Sequence, residues 1–245
     1  MKTTIVIIML LSFLSTFNLT QAQQKTAMPL IGEMAPAFSA QSTKGLIQFP
    51  QDFGRNWKIL FAHPRDFTPV CSSEILELAH MQREFNKRGA SLMIISTDQL
   101  DTHFEWKKAL EQIRFKGRNK VNIEFPLIED NNHSIVEKYG MVHPDARRGK
   151  NVRGVFFVDR DNRIRAITMY PVEVGRNTDE ILRTLKALQE TDDDFNVSTP
   201  ANWTPGEPVM ITFPTPVMMQ YMNQDNSLYF QYSWFMTYRK PHPEP

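Results

Sequence analysis

Apolar positions in this chain fall into short unbroken runs, separated by stretches in which they recur every three or four residues. Lys58-Ile59-Leu60-Phe61-Ala62 is one such run and predicts a buried strand, stopped at His63-Pro64 because proline cannot continue a ladder. Behind it, Ile75, Leu78, Ala79, Gln82 and Phe85 keep helical spacing until Gly89, and Ser72, Ser73 and Glu74 suit a first turn. Ala90 to Thr97 predicts a second strand, apolar at Leu92, Met93, Ile94 and Ile95 as a central strand would be. A helix is expected around His103 to Gln112, where Phe104, Lys107, Lys108 and Glu111 give an amphipathic pattern. Phe125 to Ile128 predicts a short strand before the acidic turn Glu129-Asp130-Asn131, and Asn132 to Tyr139 a two-turn helix stopped by Gly140. Arg153 to Val158 and Arg163 to Tyr170 read as a hairpin joined by Asp159-Arg160-Asp161-Asn162. Asn177-Thr178-Asp179-Glu180 has the form of a capping box, opening a helix with Ile181, Leu182, Leu185 and Leu188 on one stripe. The alternation of strands and helices from Lys58 to Gln189 argues a layered α/β sandwich.

Outside that block the pattern changes. Lys2, the apolar run Ile5 to Leu14 and the small residue in Thr20-Gln21-Ala22 predict a secretory signal peptide over 1–22, cleaved before Gln23, and hence an exported protein, periplasmic or secreted. The run is about ten to thirteen residues, short of the roughly 20 that span a bilayer, so no stable membrane insertion is expected. Ile31 to Phe53 reads as a lead-in, with a polar turn at Gln41 to Gly45. Met141 to Asn151, carrying Arg147, Arg148 and Lys150, reads as a solvated loop. After Glu190 come Asp192-Asp193-Asp194 and the prolines Pro200, Pro205, Pro208, Pro214 and Pro216, which leave little room for a helix. The aromatic run Leu228 to Tyr238 would be a sticky patch if exposed, so it is expected to pack on something. The organisation predicted is a signal peptide (1–22), one α/β domain (23–190) and a C-terminal extension (191–245).

Charge narrows the function. With 28 basic against 27 acidic residues, neither nucleic acid nor an anionic membrane is expected as the main partner. Six histidines, at 63, 80, 103, 133, 143 and 242, show no His-x-x-x-His spacing, and no Cys-x-x-Cys, glycine-rich phosphate loop or nucleotide fingerprint occurs. No metal or cofactor is therefore expected. One cysteine in 245 residues is unusual for an exported protein, where cysteines are usually paired. Cys71 lies where a strand runs into a helix, and the free N–H groups at a helix start stabilise an anionic sulfur. Thr68, three residues earlier, could donate a hydrogen bond to that sulfur or to an oxygen it attacks, and Pro64 could wall off water.

Pro64, Thr68 and Cys71 stand in the order Pro-x-x-x-Thr-x-x-Cys, and this resembles the active-site signature of peroxiredoxins. The fuller string His63-Pro64-Arg65-Asp66-Phe67-Thr68-Pro69-Val70-Cys71 is similar to the one-cysteine, peroxiredoxin-6-like subfamily. Gly32, Ala35, Pro36 and Phe38 also match a Gly-x-x-Ala-Pro-x-Phe opening found in the family. The resemblance implies a thioredoxin-like fold and a thiol-dependent peroxidase in which Cys71 attacks hydrogen peroxide or an organic hydroperoxide and becomes a sulfenic acid. It also implies that Arg153, in Val152-Arg153-Gly154-Val155-Phe156, is the active-site arginine, and that Arg176 completes the same network. Glu74, in the first turns of the helix, could orient Arg153. His63 could hydrogen-bond near the sulfur, as its family counterpart is thought to.

With one cysteine no intrachain disulfide can form, so an external thiol or another external reductant must regenerate Cys71. The C-terminal extension resembles one that reaches over a partner subunit, which implies a homodimer. Some animal members carry Gly-x-Ser-x-Gly before the active-site strand and act on phospholipids. Here Gly54-Arg55-Asn56-Trp57-Lys58 lacks the serine, so a lipase activity by that route is not expected. A different class of function would be a redox-sensing or chaperone-like binding protein, switched by oxidation of Cys71.

Overall fold

The structure is a computed structural model that describes residues 28–142, 151–224 and 228–241. The expected signal peptide and the basic residues Arg147, Arg148 and Lys150 lie outside the described residues.

Five central and two flanking strands make one twisted sheet. They are β1 (Phe38–Ser42), β2 (Gly45–Phe49), β3 (Trp57–Ala62), β4 (Ala90–Ser96), β5 (Leu127–Glu129), β6 (Arg153–Val158) and β7 (Ile164–Tyr170), in the order β2-β1-β5-β4-β3-β6-β7. β3 runs parallel to β4, and β4 to β5, whereas β6 pairs antiparallel with both β3 and β7. Every residue of β3 and β6 is buried, because helices or loops cover both faces of the sheet centre. Ile59, Phe61, Val155 and Phe157 point to one side, where they meet Ile75, Leu78 and Phe85 of α1 (Pro69–Lys87), Trp106 of α2 (Leu100–Leu110) and Ile181 and Leu185 of α4 (Thr178–Asp193). Leu60, Ala62, Phe156 and Val158 point to the other, against Ile135 and Val136 of α3 (Ser134–Lys138) and the stacked rings of Phe38 and Phe49. This is a thioredoxin-like α/β fold with a central mixed sheet.

Several elements depart from the sequence reading. α1 begins at Pro69, three residues before the expected first turn, because proline is well suited to the first helical position, where no N–H is needed. α2 begins at Leu100, and its buried face is His103, Trp106 and Leu110, while Phe104 is 48% exposed. The apolar character of Phe104 pointed to a stripe one position out of phase. The lead-in contains the β1–β2 hairpin, whose turn is confined to Thr43 and Lys44. The capping box is half formed: the Asn177 side chain accepts from the N–H groups of Asp179 and Glu180, but the Glu180 carboxylate turns forward to Arg183 and Thr184.

After α4 the chain forms a second, antiparallel sheet of β8 (Val197–Ser198), β9 (Val209–Ile211), β10 (Tyr229–Ser233) and β11 (Met236–Arg239), ordered β10-β11-β9-β8. A helix, α5 (Pro216–Gln224), occupies the segment where the prolines left little room for one; Pro216 stands at its start and no proline follows within it. Val197, Trp203, Val209 and Ile211 form a small core against Ala187 of α4. The aromatic run splits: Phe230 and Tyr238 stack at 5.0 Å across the β10–β11 hairpin, while Trp234 and Phe235 at its tip are 83% and 64% exposed.

Candidate active site

β3 and β4 run parallel and end at the same edge, so whatever follows β3 is displayed there. His63 still donates its N–H to the Ile95 carbonyl at 3.0 Å, and Pro64 then ends the ladder. The loop returns through Phe67, whose φ of 53° is unusual for a side chain of that size, to Thr68, the N-cap of α1. Cys71 is the third residue of the helix, within the turn whose N–H groups have no intrahelical acceptor, and it is fully buried.

Arg153 opens β6, which pairs with β3, and its guanidinium therefore enters the same space. Arg153 Nη1 lies 3.2 Å from Cys71 Sγ and 2.8 Å from Glu74 Oε2, while Nε and Nη2 donate to the Val172 carbonyl at 3.0 and 2.7 Å. Glu74, one turn along α1 from Cys71, also holds Arg176. Its Oε1 accepts from Arg176 N at 2.8 Å and Nε at 2.9 Å, and its Oε2 from Nη2 at 2.8 Å. Arg176 Nη1 donates to the carbonyls of Ala62 and Gly154, tying the ends of β3 and β6 together. A Cβ on Gly154 would stand 2.7 Å from Met141 Sδ, so any larger residue there would have to push that side chain aside.

Cys71, Glu74, Arg153 and Arg176 are all between 0% and 6% exposed. Burial opposes the Glu74 carboxylate, but the hydrogen bonds and charge of Arg176, joined by Arg153, outweigh it and hold its pKa below the ordinary value. Two guanidinium groups against one carboxylate leave one excess positive charge beside Sγ, which an anionic sulfur would balance.

Thr68 and Pro64 line the mouth of this site, a cleft of about 780 Å³ that also borders Val70, His133, Val172 and the edge of Arg153. The Thr68 hydroxyl donates to the Arg65 carbonyl at 3.0 Å. Its proton is thus committed, and the expected donation to the sulfur gives way to an acceptor role: its lone pairs are free for an O–H entering the cleft. The expected hydrogen bond from His63 near the sulfur is not formed either. Both His63 ring nitrogens lack a hydrogen-bond partner among the described residues, Nε2 lying 3.4 Å from Asp66 Oδ1 without hydrogen-bond geometry. The imidazole packs instead against Trp106, 5.0 Å between ring centroids.

Burial, more than offsetting the nearby Asp66 carboxylate, lowers the His63 pKa from 6.5 to about 4. The unfolded chain then binds a proton between these values that the folded chain does not, so stability falls as pH drops from 6.5 towards 4. The expected loss from this residue is about 3 kcal/mol at pH 4. Urea unfolding at pH 7 and pH 4 checks it: His63→Asn should show a pH dependence smaller by that amount, whereas equal dependence in both proteins would clear His63 of the effect.

Of the seven residues the sequence pointed to, the structure gathers Cys71, Thr68, Pro64, Arg153, Glu74 and Arg176 around the cleft, while His63 makes no hydrogen bond to them. Sequence reasoning missed the Val172 carbonyl, a backbone group that no residue type announces. It also missed Asp66 and His103, which pair under the loop at 2.6 Å; the i, i+3 spacing of His103 and Trp106 was the available signal. Among the described residues no cluster of His, Cys, Asp or Glu is arranged to hold a metal ion, and no helix is long and apolar enough to cross a membrane.

Residues 31–167 match the AhpC/TSA family, and residues 187–218 match the C-terminal domain of 1-Cys peroxiredoxin. A peroxiredoxin of Methanosarcina mazei is 43% identical over 216 residues, covering 87% of this chain and 98% of that one. The 1-Cys peroxiredoxin of Dictyostelium discoideum is 39% identical over 181 residues, 74% of this chain and 73% of its own. Among solved structures, the yeast mitochondrial 1-Cys peroxiredoxin aligns with a TM-score of 0.76 at 34% identity, covering 87% of this chain and 100% of that one. A cysteine-to-serine mutant of peroxiredoxin 6 of Arenicola marina aligns with a TM-score of 0.78 at 31% identity, covering 88% and 99%. Matched along both its α/β domain and its C-terminal part, and holding one cysteine in all, the chain belongs to the peroxiredoxin family, in its 1-Cys type, and is a thiol-dependent peroxidase.

Proposed function

We propose that this peroxidase works outside the cytosol as a homodimer, reducing hydrogen peroxide and organic hydroperoxides at Cys71 with electrons from an external thiol. The observation that carries the chemistry is Arg153 Nη1, shared between Cys71 Sγ and Glu74. The peroxide enters between Pro64 and Thr68 and gives its O–H to the Thr68 oxygen. The sulfur anion then attacks the near oxygen, the O–O bond breaks, and the far oxygen leaves as hydroxide or alkoxide, taking a proton to become water or alcohol. Arg153 stabilises the charge building on the separating oxygens. Cys71 is left as a sulfenic acid. One external thiol condenses with it to a mixed disulfide, releasing water, and a second thiol displaces Cys71 as the free thiol.

Two further features support the setting of this chemistry. The positive start, short apolar run and small residue before Gln23 support export with cleavage near Ala22. On the C-terminal extension Phe195, Phe213, Tyr232 and Trp234 are each at least 70% exposed, more aromatic surface than an isolated subunit ordinarily shows. Sedimentation of the chain from Gln23 onward, beside a Trp234→Ser/Phe235→Ser variant, is expected to give a dimer and a monomer respectively. A wild-type monomer at micromolar concentration would rule out the dimer. Amino-terminal sequencing of the expressed full chain is expected to start at Gln23 in the exported fraction, and an intact Met1 start confined to the cytosol would rule out export.

A further inference from the structure

We propose that the buried Asp66–His103 pair is a positioning device for the peroxide step, holding the loop that presents Pro64 and Thr68 to Cys71. Asp66 stands two residues from each of them. Its side chain meets His103 Nδ1 at 2.6 Å, and its N–H donates to Asp98 Oδ2 at 2.7 Å, which in turn accepts from Ser96 Oγ at the end of β4. His103 Nε2 lies 3.3 Å from the Ile128 carbonyl of β5, so the imidazole spans from the sheet to the loop.

Trp106, one turn further along α2, donates Nε1 to Ser72 Oγ at 3.2 Å. Two neighbouring residues of α2 thus grip the active-site segment on either side of Cys71, at Asp66 and at Ser72. Neither lines the cleft. The grip has something to hold: Phe67, between Asp66 and Thr68, has a φ of 53°, a strained backbone state for a side chain of that size, which persists only where its surroundings fix it. His103 and Asp66 make no hydrogen bond to the sulfur or to Arg153, so their effect on the peroxide step runs through where Pro64 and Thr68 stand.

The test uses two polar replacements that divide the contacts of His103. In His103→Asn the amide nitrogen takes the place of Nδ1 and keeps the bond to Asp66, and in His103→Gln it takes the place of Nε2 and keeps only the Ile128 side. Two rates of Cys71 are measured at neutral pH in the whole protein: reaction with hydrogen peroxide, which needs the placed loop, and alkylation by iodoacetamide, which needs access to the sulfur but no placed hydrogen-bond acceptor. His103→Gln should lose about tenfold to a hundredfold in the peroxide rate, with alkylation unchanged or faster, and His103→Asn should stay within about threefold of wild type in both. Asp66→Ala should repeat the Gln result, which keeps the test decisive if His103→Gln does not fold. Equal peroxide rates in the Gln and Asn variants, or a parallel fall in alkylation, would overturn the proposal. The wild-type peroxide rate in the same series reports separately on the peroxidase itself.

Discussion

Replacing Arg153 by methionine is expected to slow the reaction of Cys71 with hydrogen peroxide by about a hundredfold to a thousandfold, the usual effect of removing one aligned donor from a charge-stabilising site. Two losses combine. The sulfur loses the guanidinium 3.2 Å away, and with it the excess positive charge of the cluster. The breaking O–O bond loses the donor that borders the cleft. Methionine keeps most of the aliphatic volume, and Glu74 stays paired with Arg176, so the fold should survive. Stopped-flow rates with the folded variant check this. A variant within tenfold of wild type would show that Arg153 is no more than a strand-end ion pair.

Glu74→Gln is expected to damage stability and reaction together. The carboxylate accepts from Arg153 once and from Arg176 three times, with almost no solvent contact. Removing its charge leaves two buried guanidinium groups with no carboxylate between them, at a cost of about 3 kcal/mol or more. Because the folded-state pKa is held below the ordinary 4.5, this contribution is present above that value and is lost as pH falls through the folded pKa. Urea unfolding at pH 7 should therefore show the full deficit of the variant, and unfolding at strongly acid pH a smaller one. Equal stability at pH 7 would mean that the two arginines find other partners. The peroxide rate should fall as well, since Glu74 fixes the direction of Arg153 Nη1.

The sequence carried these sites unevenly. Pro64, Thr68 and Cys71 are legible because their chemistry depends on spacing within one loop, and the strand before them is marked by an unbroken apolar run. Arg153 is 82 residues from Cys71 and looks like any charged residue at a strand start. Only the family resemblance singled it out, because the antiparallel pairing of β6 with β3 is not written locally. Thr68 shows the limit of residue type: a hydroxyl can donate or accept, and the Arg65 carbonyl decided which. His63 shows the same limit, since its neutral, unpartnered state follows from burial that the neighbouring prolines and charges did not announce. Helix phase failed where one exposed aromatic, Phe104, outweighed a buried histidine at the preceding position, and α5 was missed because Pro216 begins a helix as readily as proline ends one.

The most direct measurement is the loss of the Cys71 thiol when the protein from Gln23 onward is mixed with equimolar hydrogen peroxide at neutral pH, beside free cysteine. The expected result is a reaction orders of magnitude faster than that of free cysteine, with a dimedone-trappable sulfenic acid on Cys71 and return of the thiol when an external thiol is added. A Cys71 that reacts no faster than free cysteine would contradict it.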